Sequence, residues 1–226
     1  MIRKIIFDCF GTLIDTGSTS LNAAKTILKN VGSDINAEYF YPEWKRTKKE
    51  MMMQDTFYSE KELFGLSLKI MFDKYGIKAD AEIEVRPMID ILFGDRRVFP
   101  DTVSTLETLE KQGIECAVGS TTDTDSLMHF LDLNALEFRY IFTSEDMKVY
   151  KPFPAFYSTI LKETGWDVCE CLFVGDSLVD DVKGPQNIGM KAALLDRNHK
   201  YSDSSDIKPD YIIHSLSELT EIVKKY

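Results

Sequence analysis

The chain has 226 residues, 44% of them hydrophobic and 28% charged, so it can bury a sizeable core; disordered, collagen-like and disulfide-scaffold classes are excluded. Its 27 basic against 37 acidic residues leave a net charge of −10, which argues against a nucleic-acid or membrane-surface partner. Four cysteines are too few for a secreted disulfide framework, no apolar run reaches the roughly 18 residues of a membrane helix, and the first residues do not read as a signal peptide; a reduced, cytoplasmic monomer or homodimer is expected.

In chain order, residues 4–7 form an apolar strand that ends at Asp8, after which Gly11-Thr12 lets the backbone turn sharply. From Thr16 the strand rhythm lapses. Helical patterns follow over 21–31, 38–54, 60–75 and 82–93, which predicts an inserted all-helical domain over 16–98. Within it, Trp44 and the Met51-Met52-Met53 run suit core or interdomain packing. Lys45, Arg46, Lys48 and Lys49 suit a solvated helix face, with Arg46 also a candidate for steering an anionic substrate.

Beyond residue 98, strands over 114–118, 139–142, 171–174, 192–195 and 211–213 alternate with helices over 102–112, 125–133, 154–164, 179–188 and 216–224. Continuous apolar strands separated by helices predict a parallel sheet covered on both faces, a doubly wound, Rossmann-like α/β core made of residues 1–15 and 99–226. Asp15, Thr16 and Gly17 on one side and residues 97–100 on the other are the expected hinge, with Asp15 a possible cap for the first inserted helix. The polar segment 196–210 reads as a surface loop, and Cys9, Cys116, Cys169 and Cys171 as buried free thiols inside apolar, strand-like runs.

Ligands of open α/β sheets gather outside the carboxyl ends of the strands. There the sequence places Asp8, then Gly119-Ser120-Thr121, then Gly175-Asp176-Ser177 with Asp180-Asp181 beyond, and between the last two strands of this set Lys151-Pro152. An acid, a hydroxyl, a cation and further acids therefore meet at one sheet edge. His129, His199 and His214 lie near no Gly-x-Ser-x-Gly elbow, and no Walker-type loop is present.

Four motifs in order, Asp8-x-x-Gly11-Thr12-Leu13, Ser120, Lys151-Pro152 and Gly175-Asp176-Ser177-x-x-x-Asp181, resemble those of the haloacid dehalogenase superfamily of aspartate-nucleophile hydrolases, over essentially the whole chain. The resemblance implies a helical cap inserted after the first motif, closing over the site and setting specificity. It implies that Asp8 attacks phosphorus to form an aspartyl-phosphate, with Ser120 and Lys151 completing the catalytic set. Mg²⁺ would be held by Asp8, Asp176 and the backbone carbonyl of Phe10. Gly11, Thr12, Ser120, Thr121 and Lys151 would bind the phosphoryl group of a small anionic metabolite, with Ser177, Asp180 and Asp181 behind them; which of Asp180 and Asp181 orients the site and which caps a helix stays open.

One position departs from the family's phosphatases. These normally carry a second acid two residues after the nucleophile, a general acid–base worth roughly 10²–10⁴-fold, and this chain has Phe10. An aromatic there is similar to the dehalogenase branch, whose halide leaving group needs no proton, whereas metal-independent dehalogenases lack an acid at the place of Asp176. A Mg²⁺-dependent phosphatase is the favoured expectation. The alternatives are a 2-haloacid dehalogenase-like hydrolase and a catalytically weak relative that binds Mg²⁺ and anions.

Overall fold

The protein is described by a computed structural model covering residues 1–201 and 204–225. Residues 202 and 203 of the expected loop over 196–210, and residue 226, lie outside the described residues. By internal contacts the chain divides into two compact units, one made of Met1–Asp15 with Arg96–Tyr226 and the other of Thr16–Asp95. Among the described residues no helix is long and apolar enough to cross a membrane.

The first unit is built on six parallel strands: β1 (Lys4–Phe7), β2 (Glu115–Ser120), β3 (Tyr140–Thr143), β4 (Cys171–Gly175), β5 (Lys191–Leu195) and β6 (Tyr211–Ile213). Their order is β3-β2-β1-β4-β5-β6, so the chain reverses its direction of travel across the sheet on either side of β1. This is the doubly wound, Rossmann-like core expected from the alternation of apolar strands and helices. Side chains alternate across the pleat. Ile5, Phe7, Leu172 and Val174 pack with Leu127 and Phe130 on one face. Ile6, Cys171 and Phe173 pack with Phe156, Tyr157 and Ile160 on the other. Each fully buried aliphatic or aromatic side chain contributes roughly 1.5–3 kcal/mol, so both faces are anchored.

Several helices differ from their expected form, each for a local reason. The pattern over 179–188 opens as a wide π-turn, Leu178–Lys183, before a short α-turn at Gly184–Gln186. There Ser177 caps the start, and a Cβ on Gly184 would collide with the Tyr157 hydroxyl. The final helix is broken into 3₁₀ turns around Leu219–Ile222, and a short helix at Ser144–Met147, capped by Thr143, went unpredicted. Cys169 corrects another expectation: it is exposed, on the 3₁₀ turn that precedes β4 rather than in the strand, while Cys9 and Cys171 are buried and Cys116 is partly so.

The second unit is all-helical, with helices Thr19–Asn30, Ala37–Met52 and Glu60–Tyr75 and short segments from Ala81 to Phe93. The pattern over 82–93 is interrupted because Pro87 lacks an N–H and restarts a helix at Arg86–Asp90. Trp44 is buried in this unit's own core, its indole N–H donating to Ser67 at 2.7 Å. Of the three methionines only Met52 is buried, and Met53 is exposed. The residue that precedes Thr19–Asn30 is Ser18, not Asp15, and its side chain makes no capping hydrogen bond. Asp15 is instead the end of a pairing inside the first unit, where its N–H donates to the Arg97 carbonyl at 2.8 Å and Ile14 bridges Val98 antiparallel.

Candidate active site

The register explains why acids converge. Phe7 sits level with Val118 on β2 and Val174 on β4, so Asp8 emerges between Gly119-Ser120 and Gly175-Asp176. The Asp8 N–H donates to the Val174 carbonyl at 2.8 Å, holding it in line with β4. Ser120, buried, ends β2 beside Thr143. Such a reversal point of a parallel sheet is where open α/β proteins place their ligands.

After Asp8 the chain folds into a tight turn in which the N–H groups of Thr12, Leu13 and Ile14 all point at the Cys9 carbonyl. Gly11 has φ +93°, and a Cβ there would lie 2.5 Å from Asp176 Oδ2. Only glycine meets both demands. Gly175 is equally confined, since a Cβ on it would run into the Asp181 carboxylate.

Lys151 is the hub. Its ammonium, 3% exposed, donates to Asp8 Oδ1 at 2.6 Å and to Asp181 Oδ1 at 2.7 Å. The Thr12 hydroxyl donates to the other Asp8 oxygen at 3.1 Å, and the Ser177 N–H to the other Asp181 oxygen at 2.9 Å. Among the described residues Asp8, Asp176 and Asp181 each bring one carboxylate oxygen to within 4.8 Å of the others. Asp8 and Asp181 are buried while Asp176 is exposed.

The electrostatics follow from that crowding. Burial, assisted by the Asp176 charge, holds the Asp8 carboxyl above its usual range although Lys151 and Thr12 act against the shift. Burial likewise pushes Asp181 to about 6, with Asp8 adding to it. Burial opposes the charge on Lys151, but Asp181 and Asp8 more than offset it and raise the ammonium well above its ordinary value. The Cys9 thiol, buried next to Asp8, is pushed well up, so it is no competing nucleophile. Two of the three carboxylates, Asp8 and Asp181, share the one Lys151 ammonium.

Asp181 reaches Lys151, whereas the Asp180 N–H is capped by the Ser177 hydroxyl at 3.2 Å and its carbonyl accepts from Tyr157. Phe10 lies two residues past Asp8 with its ring edge-on to Phe130, centroids 5.3 Å apart, and the buried Arg96 guanidinium stands 5.8 Å from the Phe10 ring. Thr121 keeps a buried hydroxyl that makes no hydrogen bond. Arg46 belongs to the helical unit, exposed, between Glu43 at 3.3 Å and Glu50 at 3.6 Å on its own helix. Sequence patterns missed Arg96 and Tyr157, because neither sits in a motif and each reaches this region only through tertiary packing.

Comparison with known proteins finds relatives both by sequence and by fold. A 124-residue stretch is 34% identical to haloacid dehalogenase-like hydrolase domain-containing protein 3 of Danio rerio, covering 54% of this chain and 51% of that protein, so the match spans about half that relative's length. Glyceraldehyde 3-phosphate phosphatase of Pyrococcus furiosus is 26% identical over 99% of this chain and 94% of its own. The HAD-hydrolase YfnB of Bacillus subtilis, solved bound to magnesium, shares the fold with a TM-score of 0.81 at 19% identity, over 99% of both chains. Curated relatives include phosphatases and (S)-2-haloacid dehalogenases alike. The model of the haloacid dehalogenase-like hydrolases matches residues 5–195, most of the chain, and the protein belongs to that family.

Proposed function

We propose that the protein is a Mg²⁺-dependent phosphatase of small phosphorylated metabolites, with Asp8 as nucleophile. The observation that carries this reading is the close approach of the Asp8, Asp176 and Asp181 carboxylates, two of which, Asp8 and Asp181, also bind the Lys151 ammonium. Hard carboxylate oxygens at this spacing suit Mg²⁺. Asp8, Asp176 and the Phe10 carbonyl would hold it, and when bound it supplies the positive charge that the carboxylates and a phosphoryl group both need.

In this reading one Asp8 oxygen attacks phosphorus, the bond to the leaving oxygen breaks, and water then cleaves the aspartyl-phosphate to return the carboxylate and release phosphate. Lys151 fixes the plane of the carboxylate and neutralises charge on the transferred group. Ser120 and Thr121 donate to phosphoryl oxygens; the Gly11 and Thr12 N–H groups, expected to share that task, already donate to the Ile14 and Cys9 carbonyls. Asp181 orients Lys151, and Ser177 holds Asp181. Because Phe10 offers no proton, substrates whose leaving groups depart unprotonated, aryl and acyl phosphates, are favoured over alkyl phosphates.

The test is phosphate release from aryl, acyl and alkyl phosphates with Mg²⁺ and with EDTA. Turnover of the first two that EDTA abolishes supports the reading. A second reading, a 2-haloacid dehalogenase-like hydrolase, is favoured by Phe10 and by the (S)-2-haloacid dehalogenases among the relatives. Halide release from 2-chloropropionate that persists in EDTA would establish it in place of the phosphatase.

A further inference from the structure

We propose that Arg197 is a positioning residue for the turn that carries Asp8, a role that rests on the reading of Asp8 as the nucleophile. Within the turn three N–H groups share the Cys9 carbonyl and the Gly11 N–H serves the Ile14 carbonyl, so the Thr12 and Leu13 carbonyls take donors from elsewhere. The Phe99 N–H and the Thr102 hydroxyl donate to the Leu13 carbonyl at 3.0 and 2.9 Å, and Arg197 Nη2 donates to the Thr12 carbonyl at 3.2 Å.

Arg197 is itself locked. Nη1 and Nη2 donate to the two carboxylate oxygens of Asp101 at 3.0 and 2.9 Å, and the guanidinium lies 3.9 Å from the centre of the Phe99 ring. Asp101 Oδ2 accepts in addition from the Ser215 hydroxyl at 2.7 Å and the Leu216 N–H at 2.8 Å. A continuous chain thus runs from the segment after β6 through Asp101 and Arg197 to the Thr12 carbonyl. The same Thr12 donates its hydroxyl to Asp8 Oδ2. Asp101 stands at the start of the helix Thr102–Lys111 yet gives its side chain to this network instead of to a helix cap. Only a planar fork can serve Asp101 on two atoms and Thr12 as well; a lysine offers one point of charge.

The test compares the full-length protein with Arg197→Lys, Arg197→Met and Leu219→Ala. Leu219 is fully buried and makes none of these contacts, so its truncation reports lost stability alone. Turnover of p-nitrophenyl phosphate with Mg²⁺ is measured beside backbone hydrogen exchange at residues 11–14. Misplacement of the nucleophile by the loosened turn lowers kcat about tenfold in Arg197→Lys and about a hundredfold in Arg197→Met, with KM moved less than about twofold. Exchange at residues 11–14 accelerates about tenfold in the same two variants and not in Leu219→Ala. Wild-type kcat and wild-type exchange in the Arg197 variants, with a lowered Tm only, overturn the proposal. Should Arg197→Met fail to fold, Arg197→Lys and Asp101→Asn carry the same comparison. Absence of turnover in the unaltered protein counts against the phosphatase reading, and hydrogen exchange then decides the positioning role by itself.

Discussion

At the scale of single residues, position 10 and Lys151 govern the chemistry. Phe10 packs edge-on against Phe130, so an aspartate placed there loses an aromatic contact. Phe10→Asp is expected to cost about 1–3 kcal/mol of stability and to raise turnover of alkyl phosphates at least about tenfold by restoring a proton donor. Steady-state kinetics on an alkyl phosphate measures this, and an unchanged or lower rate with intact Mg²⁺ binding contradicts it. Lys151→Met leaves two buried carboxylates facing each other, which should destabilise the metal-free protein by about 3–5 kcal/mol in urea denaturation at pH 7.5. A loss below about 1 kcal/mol would mean the ammonium is not the hub. Asp8, Asp176 and Lys151 were legible because each follows a strand ending or precedes a proline. Arg96, Tyr157 and Arg197 were not, since their significance depends on which distant backbone or ring they meet.

At the scale of elements, strand periodicity was the most readable feature, because strands buried on both faces must be apolar throughout. Helix integrity was less so. The pattern over 179–188 carries the right spacing for a helix, yet the chain there widens into a π-turn that sets Asp181 against Lys151 and Gly184 against Tyr157. Periodicity records which side of an element is buried and not how tightly the turn is wound. The turn after Asp8 shows the reverse, since Gly11 announced a sharp bend and its φ of +93° explains it. Gly11→Ala combines that φ with a contact to Asp176, and is expected to destabilise the protein by about 1–3 kcal/mol and to weaken Mg²⁺ binding measured by calorimetry. Wild-type affinity in a folded Gly11→Ala protein would show that Asp176 does not need this close approach.

At the scale of the whole molecule, the acid cluster links folding to pH. The folded value of about 6 for Asp181 lies above its ordinary 3.8, because burial favours the neutral acid. Its contribution in the metal-free protein is therefore complete below about pH 3.8 and is lost as pH rises through about 6. Asp8 shifts in the same direction. Binding of a divalent cation favours the ionised acids and opposes that loss, so the rise in Tm caused by Mg²⁺ should be larger at pH 7.5 than at pH 5. An equal rise at both pH values, read by calorimetry, would place the cation away from these carboxylates. The two-unit division of the chain was visible as a lapse in strand rhythm. Its second boundary, at Asp95 and Arg96, depends on the pairing of Ile14 with Val98 and of Asp15 with Arg97, which no local pattern announces.

The most direct measurement quenches turnover of an aryl phosphate, reduces any acyl phosphate with borohydride and maps the modified peptide by mass spectrometry. Modification at Asp8, dependent on Mg²⁺ and absent from Asp8→Asn, is the expected result. Turnover that leaves Asp8 unmodified, or a modification at any other residue, contradicts the assignment of Asp8 as the group that takes up phosphorus.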